Sequence, residues 1–260
     1  MPPAPRPTVL VAAALLLATT TGCSLLAAPT TATPGGPAPV PPRQVVLTAA
    51  QALDDAGGAR IDVVQEGPAG RRTASGSLVW GDADEAALTV TDESGSGRLT
   101  LKDGALDLAY QGGAAKHAER STAESADPRA GTGPAGFAGG WMTTLISSPG
   151  GRAYGIAQGV KLVSLGGEQL AGVTAAHYRG SAPVAELFGK GDELSSRQRA
   201  ATLDWYRQHG VTAIGYDLWV GPGMQLLRLR ETVTGSAGTT VTTTDVSAPG
   251  AADATPTAGG

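Results

Sequence analysis

Apolar and polar side chains alternate along four short stretches between residues 60 and 112. A period of two is typical of half-buried antiparallel strands, because successive side chains point to opposite faces of a sheet. Residues 75–84 predict a further strand that ends in an acidic turn. Asp103-Gly104 favours a tight hairpin turn, since both residues tolerate positive φ angles. The pattern therefore predicts a meander of four or five strands. Its inward-facing apolar positions, which would line a pocket, are Leu78, Trp80, Leu88, Val90, Leu99, Leu101, Leu106 and Leu108.

The segments that flank this meander carry helix signals. Residues 45–58 suit a short helix, which Thr48 would cap and Gly57-Gly58 would end. Residues 141–149 predict one or two further helical turns, closed by Pro149 because proline cannot continue a helix.

The clearest helix is predicted over residues 192–210. Ser195 and Gln198 stand three residues apart and form a capping box at its start. Gly210 follows the last turn, where glycine commonly ends a helix.

The second half of the chain returns to strand patterns. Residues 160–180 predict two strands joined by a turn at Gly166-Gly167. Residues 212–233 predict a hairpin that turns at 221–223. A final threonine-rich strand, residues 239–247, is expected at an edge of the sheet.

The order of elements predicts the fold class. Strands grouped before and after a few helices are typical of an α+β domain with one large antiparallel sheet. We expect a curved sheet with two or three helices covering one of its faces and a pocket between the two layers. Residues 111–135 are polar and turn-rich, and they are expected to form a long loop that could act as a lid.

Composition excludes several classes of function. The chain has 260 residues, a net charge of −4 and no basic patch, which disfavours nucleic-acid binding. Its single cysteine excludes an internal disulfide, and its three histidines have no ligand-spaced partners. We therefore expect no zinc site, no cofactor and a monomeric protein.

The cysteine stands in an informative place near the N-terminus. Residues 9–18 are apolar but too short to span a membrane, which needs about 20 residues, and Arg6 precedes them. A positive start, a short apolar stretch and small residues before a cleavage site describe an export signal. Gly22-Cys23 resembles a bacterial lipobox, although Thr20 replaces the usual leucine. An ordinary secretory signal that leaves a free thiol is the alternative.

Four segments follow from this interpretation. Residues 1–22 would be a lipoprotein signal peptide, and residues 23–43 a tether rich in Pro, Ala and Thr. Residues 44–247 would form the folded domain, and residues 248–260 a disordered tail. Acylation of Cys23 would attach the protein to the extracytoplasmic face of the cell membrane, because two acyl chains anchor stably.

Two motifs resemble those of a known family. LGGEQLAGVTAAHYRG (165–180) and YDLWVGPGMQLLRLRET (216–232), together with the lipobox at Cys23, are similar to LolA-like lipoproteins of the actinobacterial LppX/LprG type. Gly221 stands where the family commonly has an acidic residue. The resemblance implies a half-barrel that binds a lipid or acylated protein between its sheet and helices, with a carrier role.

The residues leave two alternatives open. The leucine-rich face is either a packed core or a pocket wall, since both have the same composition. The same fold could also serve as a non-catalytic envelope sensor or protein-interaction module. We expect no enzyme, because no G-x-S-x-G motif occurs, and Asp54-Asp55, Asp82 and Asp84 fall at a helix end and a turn. A hydrolase is the weakest of the functional hypotheses. His177 is expected to be an ordinary strand residue rather than a functional base.

Overall fold

The computed structural model describes residues 39–81, 85–93, 95–112, 115–122, 149–187 and 196–250. These residues form four helices and eleven strands. The helices are α1 (Pro42–Asp55), α2 (Pro149–Gly159), α3 (Val184–Leu187) and α4 (Ser196–Gln208). The strands are β1 (Gly58–Gly67), β2 (Gly70–Val79), β3 (Glu85–Asp92), β4 (Gly95–Lys102), β5 (Ala105–Gly112), β6 (Ala115–Thr122), β7 (Val163–Leu170), β8 (Val173–Pro183), β9 (Ala213–Gly221), β10 (Gln225–Gly235) and β11 (Gly238–Ser247).

All eleven strands of the described residues belong to one antiparallel sheet. Its order is β6-β5-β4-β3-β2-β1-β11-β10-β9-β8-β7, so the chain builds one half outward from the middle and the other half back toward it. The halves join where β11 pairs with β1, with Ile61 opposite Val246. The sheet is curved and open, and the predicted α+β class is confirmed.

Helix α1 begins earlier than the sequence pattern predicted. Pro42 occupies its first turn, where the missing N–H costs nothing. Thr48 lies inside the helix and donates its hydroxyl to the Gln44 carbonyl at 2.9 Å, so the prediction of a Thr48 cap is wrong. Gly57, at φ +67°, follows the helix and allows the chain to turn directly into β1.

Helix α2 was not predicted. Its four glycines lower helix propensity, and Pro149 stands in its first turn as the structure describes it. The glycines have a packing role, because a Cβ at Gly150 would lie 2.9 Å from the Ala50 carbonyl oxygen of α1. The rest of the predicted segment 141–149 lies outside the described residues.

Two predictions about the strands of the second half are wrong. The β7–β8 turn is made by Ala171 and Gly172, both at positive φ, and Gly166 instead lies at a register shift within β7. Strand β11 is central rather than at an edge, since it pairs with both β1 and β10. Sequence alternation does not reveal either feature, because neighbours in a sheet are set by long-range pairing.

The predicted loop over residues 111–135 is also partly wrong. Residues Ala115–Thr122 form strand β6, which pairs with β5 along its whole length. Residues 123–135 lie outside the description, as do the N-terminal segment with Cys23 and the tail from residue 251.

The described strands carry a small apolar cluster around Trp219 on one face of the sheet and two larger apolar clusters on the opposite face. The first of the two larger clusters joins α1, α2 and strands β8 to β10, and Leu218 and Leu229 are among its fully buried members. The other is built from strands β1 to β5 alone. The described helices pack mainly against β8, β9 and β10, which places the second cluster beside the helical layer rather than beneath it.

Candidate functional site

The second cluster is an aliphatic face on five adjacent strands. It contains six of the eight residues predicted to line a pocket, and Trp80 and Leu101 pack against it partly buried. Strand register aligns the side chains in rows, with Leu88 opposite Leu99 and Leu99 opposite Leu108. The members of the aliphatic face are Ile61, Val63, Ala74, Leu78, Ala86, Leu88, Val90, Leu99, Leu106, Leu108 and Tyr110, all less than 8% exposed.

Trp80 marks the border between the aliphatic face and the helical layer. Its indole Nε1 donates to the Asp54 carbonyl at the end of α1, at 3.0 Å. Its ring packs against both apolar clusters. The aliphatic face therefore begins where α1 ends, and it extends from there toward β5.

Glycine shapes the aliphatic face at β4. A Cβ at Gly97 would lie 2.5 Å from the Ala109 carbonyl oxygen and 2.6 Å from the Tyr110 Cα, closer than real contacts allow. Gly97 pairs with Tyr110 in the register, so the missing side chain leaves room for the tyrosine. The aromatic ring of Tyr110 then ends the aliphatic face at this side of the sheet.

A row of polar side chains crosses the sheet along the same end. Strand pairs place Tyr216 opposite Glu231, Glu231 opposite Thr242, Thr242 opposite Gln65 and Gln65 opposite Arg72. Side chains alternate between the two faces along each strand, so residues two positions apart share a face. Tyr216, Glu231, Gln65 and Arg72 each lie two positions from a member of one of the two larger clusters, and Thr242 lies opposite Gln65 and Glu231. The five residues therefore share the face that carries these clusters. We call Tyr216, Glu231, Thr242, Gln65, Arg72 and Asp92 the polar row.

At the aliphatic side, the polar row ends in a cluster of Arg72, Asp92 and Tyr110. The Tyr110 hydroxyl donates to Asp92 Oδ1 at 2.5 Å, and the Gly95 backbone N–H donates to the same oxygen at 3.1 Å. Arg72 is half-buried, and its burial lowers its pKa, while the charges of Asp92 and Tyr110 act in the opposite direction. A partly desolvated guanidinium thus stands at the border of the aliphatic face.

At the helical side, the polar row contains a largely buried ion pair. Arg152 of α2 donates to Glu231, and their side chains are 17% and 19% exposed. Burial by itself would lower the pKa of Arg152, but the charge of Glu231 and the hydrogen bond to it raise it. Burial, with the nearby charge of Glu231, raises the pKa of Tyr206 to about 12 and raises that of Tyr216 as well.

The opposite face of the sheet carries a second polar cluster around His177. The ring of His177 stacks on Trp219, its Nε2 lies 2.7 Å from Asp217 Oδ1, and its Nδ1 lies 3.1 Å from Glu168 Oε2. Asp217 also accepts from Arg179 Nε at 2.6 Å. His177 is a strand residue, as expected, but it is buried between two carboxylates. Sequence reasoning missed this cluster because Glu168 and Asp217 come from other strands.

The described residues hold no group of His, Cys, Asp and Glu side chains arranged to bind a metal ion. Within the same ranges, no helix combines the length and apolarity that crossing a membrane requires. Asp54 and Asp55 lie exposed at the end of α1, whereas Asp82 and Asp84 fall outside the description.

Comparison with known proteins gives likeness of architecture at low identity. No family model and no curated protein matches the chain by sequence. LprF from Mycobacterium bovis aligns at 12% identity over 84% of this chain and 97% of its own, with a TM-score of 0.48. The Mycobacterium tuberculosis lipoprotein LppX aligns at 13% identity over 78% and 94%, with a TM-score of 0.42. A LolA superfamily protein from Nitrosomonas europaea aligns at 10% identity over 77% and 92%, with a TM-score of 0.23.

The neighbours include a lipoprotein and a LolA superfamily protein, the kinds of protein that the two sequence motifs resemble. At such identities and TM-scores, the likeness says nothing about what this chain binds.

Proposed function

We propose that the chain is a membrane-anchored, extracytoplasmic lipoprotein that binds an acyl amphiphile against the aliphatic face. One observation carries the proposal: one face of the sheet holds both the aliphatic face and another large apolar cluster, and the described helices pack mainly on that other cluster. If the apolar residues served only to hold these helices on the sheet, the helix-covered cluster would be sufficient. The aliphatic face is therefore available for another role.

The chemistry of the aliphatic face suits an acyl chain. Ten of its eleven members are aliphatic. Removing apolar surface, such as that of an acyl chain, from water is favourable by about 25 cal/mol of free energy for each Å². Along β2, the distance from Arg72 to Leu78 spans six residues, or about 20 Å, comparable to a long extended acyl chain. The face is nearly inaccessible to solvent, so a ligand would enter from the end where the half-buried Arg72 and Asp92 lie.

The anchor rests on Cys23 and its surroundings in the sequence. A short apolar stretch and small residues lead to Gly22-Cys23, and a tether rich in Pro, Ala and Thr follows it. Thioether attachment of a diacylglyceryl group to the Cys23 thiol would supply two acyl chains, which is enough for stable anchoring. The tether of residues 23–43 would hold the folded domain, residues 44–247, near the extracytoplasmic face of the cell membrane.

Native mass spectrometry tests ligand binding directly. We would purify the full chain carrying Cys23→Ser without detergent, and analyse both the intact protein and its organic extract. A lipid bound at a fixed ratio, which leaves when the protein unfolds, is the expected result. Repeated purification without any lipid would overturn the proposal, and would favour a protein-interaction or sensor role instead.

A substitution on the aliphatic face separates a pocket wall from a core. Leu99→Phe adds volume at the centre of the face, where the side chain is fully buried. If a ligand normally fills adjacent space, bound lipid should decrease while the free energy of unfolding changes by less than about 1 kcal/mol. A close-packed core would instead lose about 1–3 kcal/mol. Val163→Phe, at a position 48% exposed on β7, is the matched control.

A further inference from the structure

Exposed apolar side chains gather at the corner of the domain where the predicted tether ends. Among the described residues, six large hydrophobic side chains are exposed, and two of them, Val173 and Met224, lie at hairpin turns. The other four are between 47% and 55% exposed, and they lie just before α1, on α2 and at the start of β7. We call these four side chains the tether patch: Val40, Tyr154, Val163 and Leu165.

A contact between α1 and α2 brings the first members of the tether patch together. Arg43, three positions after Val40, donates a hydrogen bond to Gln158 in the last turn of α2. Tyr154 lies one turn before Gln158, and residues four positions apart share one side of a helix. Val40 and Tyr154 therefore lie on either side of this contact.

The connection from α2 to β7 brings in the other members. A Cβ at Gly180 of β8 would lie 2.5 Å from Val160 Cγ1 and 2.8 Å from the Lys161 carbonyl oxygen, so this connection is packed closely on β8. The side chains of Val160 and Leu162 are buried, whereas those of Lys161 and Val163 are exposed. The chain thus presents a basic and an apolar side chain in succession, within five residues of Gln158.

Basic side chains surround the tether patch. Arg43 and Lys161 are exposed, and Arg179 on the neighbouring strand is 56% exposed. Arg179 pairs with Asp217, which is buried, and α3 adds one exposed acidic side chain, Glu186. In this part of the described chain, three exposed basic side chains therefore accompany one exposed acidic side chain.

We infer that the tether patch contacts the surface of the lipid bilayer, with its apolar side chains at headgroup depth and its basic neighbours against anionic lipid phosphates. Apolar side chains flanked by Lys and Arg are typical of surfaces that bind a membrane interface, where tyrosine is also favoured. The tether supplies an independent reason, because residues 23–43 end in this patch at Val40 and Arg43.

The inference rests on the proposed function, because acylated Cys23 would bring the patch to the membrane. Only 17 positions separate Cys23 from Val40, so the tether keeps the patch at a high effective concentration near the bilayer. A contact of a few side chains is then enough to orient the domain. The β7 edge of the sheet would face the membrane, and the aliphatic face on β1 to β5 would lie toward the other edge.

Site-specific labelling of the acylated protein tests this contact. Acylation blocks Cys23, the single cysteine of the chain, so Val163→Cys provides one thiol for the fluorophore NBD. Val173→Cys is the matched control, because Val173 is 40% exposed and pairs with Leu170 at the far end of β7, about 23 Å from Val163. The full acylated chain is reconstituted in vesicles of phosphatidylcholine and phosphatidylglycerol that contain nitroxide-labelled lipid. Quenching at position 163 should be at least about twofold stronger than at position 173.

Substitutions of lysine test the electrostatic part of the contact. In the protein labelled at position 163, Lys161→Gln should reduce quenching by the anionic vesicles. Raising the ionic strength from about 0.02 M to about 0.5 M should have the same effect, since salt screens exposed charges. Lys102→Gln is the matched control, because Lys102 is 70% exposed at the end of β4, and it should leave the quenching unchanged.

The outcomes distinguish the membrane contact from the anchor. Equal quenching at positions 163 and 173, in protein that carries the acyl mass and stays with the vesicles, would overturn the contact and leave the anchor intact. Absence of the acyl mass at Cys23 would overturn the anchor, and the contact with it. A blue shift of the fluorophore at position 163 that grows with protein density, without quenching by nitroxide lipid, would identify a second copy of the chain as the partner and would overturn the bilayer. Quenching that neither Lys161→Gln nor salt reduces would overturn the role of the basic side chains.

Discussion

His177 and Trp219 lie opposite each other on β8 and β9, and their rings stack with centroids 4.3 Å apart and planes 16° from parallel. Carboxylates flank the stack on both sides. Glu168 accepts a hydrogen bond from the Trp219 indole N–H at 2.8 Å, and Asp217 Oδ1 lies 2.7 Å from Nε2 of His177. Three neighbouring strands are therefore joined by side chains as well as by their backbone ladder.

We expect Asp217→Ala to destabilise the protein by about 3 kcal/mol. The substitution would leave the buried His177 nitrogen and the Arg179 guanidinium without their shared acceptor. Urea denaturation monitored by tryptophan fluorescence measures the change. Asp245→Ala is the matched control, since the Arg228–Asp245 pair is 31% and 42% exposed and should contribute less than about 1 kcal/mol. Equal effects of the two substitutions would contradict the role assigned to burial.

Glu231→Gln should cost about 3–5 kcal/mol, because it removes the carboxylate charge that faces the largely buried guanidinium of Arg152. The test is chemical denaturation at neutral pH. Glu66→Gln gives the comparison, since its partner Arg71 is 61% exposed and the pair is screened by solvent. A loss below about 1 kcal/mol for Glu231→Gln would mean that the pair contributes little to folding.

Much of this architecture was accessible from sequence because the signals are local. Alternation placed the strands of the first meander and the shared face of the aliphatic residues. Helix α2 was missed because its glycines, such as Gly150, serve contact with α1 rather than helix propensity. Strand β6 was missed because its residues are small or charged and carry no large apolar period.

The polar features were beyond local reasoning for a different reason. Arg72 and Asp92 are 20 positions apart, and Arg152 and Glu231 are 79 apart, so only the pairing of strands and helices brings them together. Each strand looks half-buried from its own sequence, whatever its neighbours are. The border between the two apolar clusters likewise depends on where the helices lie.

Gly97→Ala should separate β4 from β5 and cost about 2–3 kcal/mol. Its Cβ would lie 2.5 Å from the Ala109 carbonyl oxygen, a backbone atom that cannot rotate away. Gly155→Ala is the opposite case, because a Cβ in this helical position meets nothing within 4 Å. It should stabilise α2 by about 0.5–1 kcal/mol. Thermal unfolding of both variants checks the contrast, and a neutral Gly97→Ala would show that the two strands can move apart freely.

Cys23→Ser should release the protein from the membrane into the soluble fraction when it is exported. The substitution removes the thiol that would accept the diacylglyceryl group, and no other cysteine is available in the sequence. Cell fractionation followed by immunoblotting measures the distribution, and mass spectrometry of the native protein should find the acyl mass at Cys23. Ser24→Ala, next to the lipidation site, is the control for the change in sequence. Retention of Cys23→Ser in the membrane would contradict the anchor.

Alkaline stability should depend on Tyr206. Its folded-state pKa is raised to about 12 from the ordinary tyrosine value of 10.0, first by burial and then by the charge of Glu231. A raised pKa means that the folded state holds this proton more tightly than the unfolded chain does. The corresponding stability is therefore complete below pH 10 and is lost as the pH rises through about 12, by roughly 2–3 kcal/mol.

Tyr206→Phe cannot ionise, so its free energy of unfolding should fall less steeply between pH 10 and 12. Tyr154→Phe, at a position 47% exposed, is the control, and urea titrations at each pH measure the slopes. Identical slopes for Tyr206→Phe and the unsubstituted protein would show that Tyr206 is not responsible for the loss.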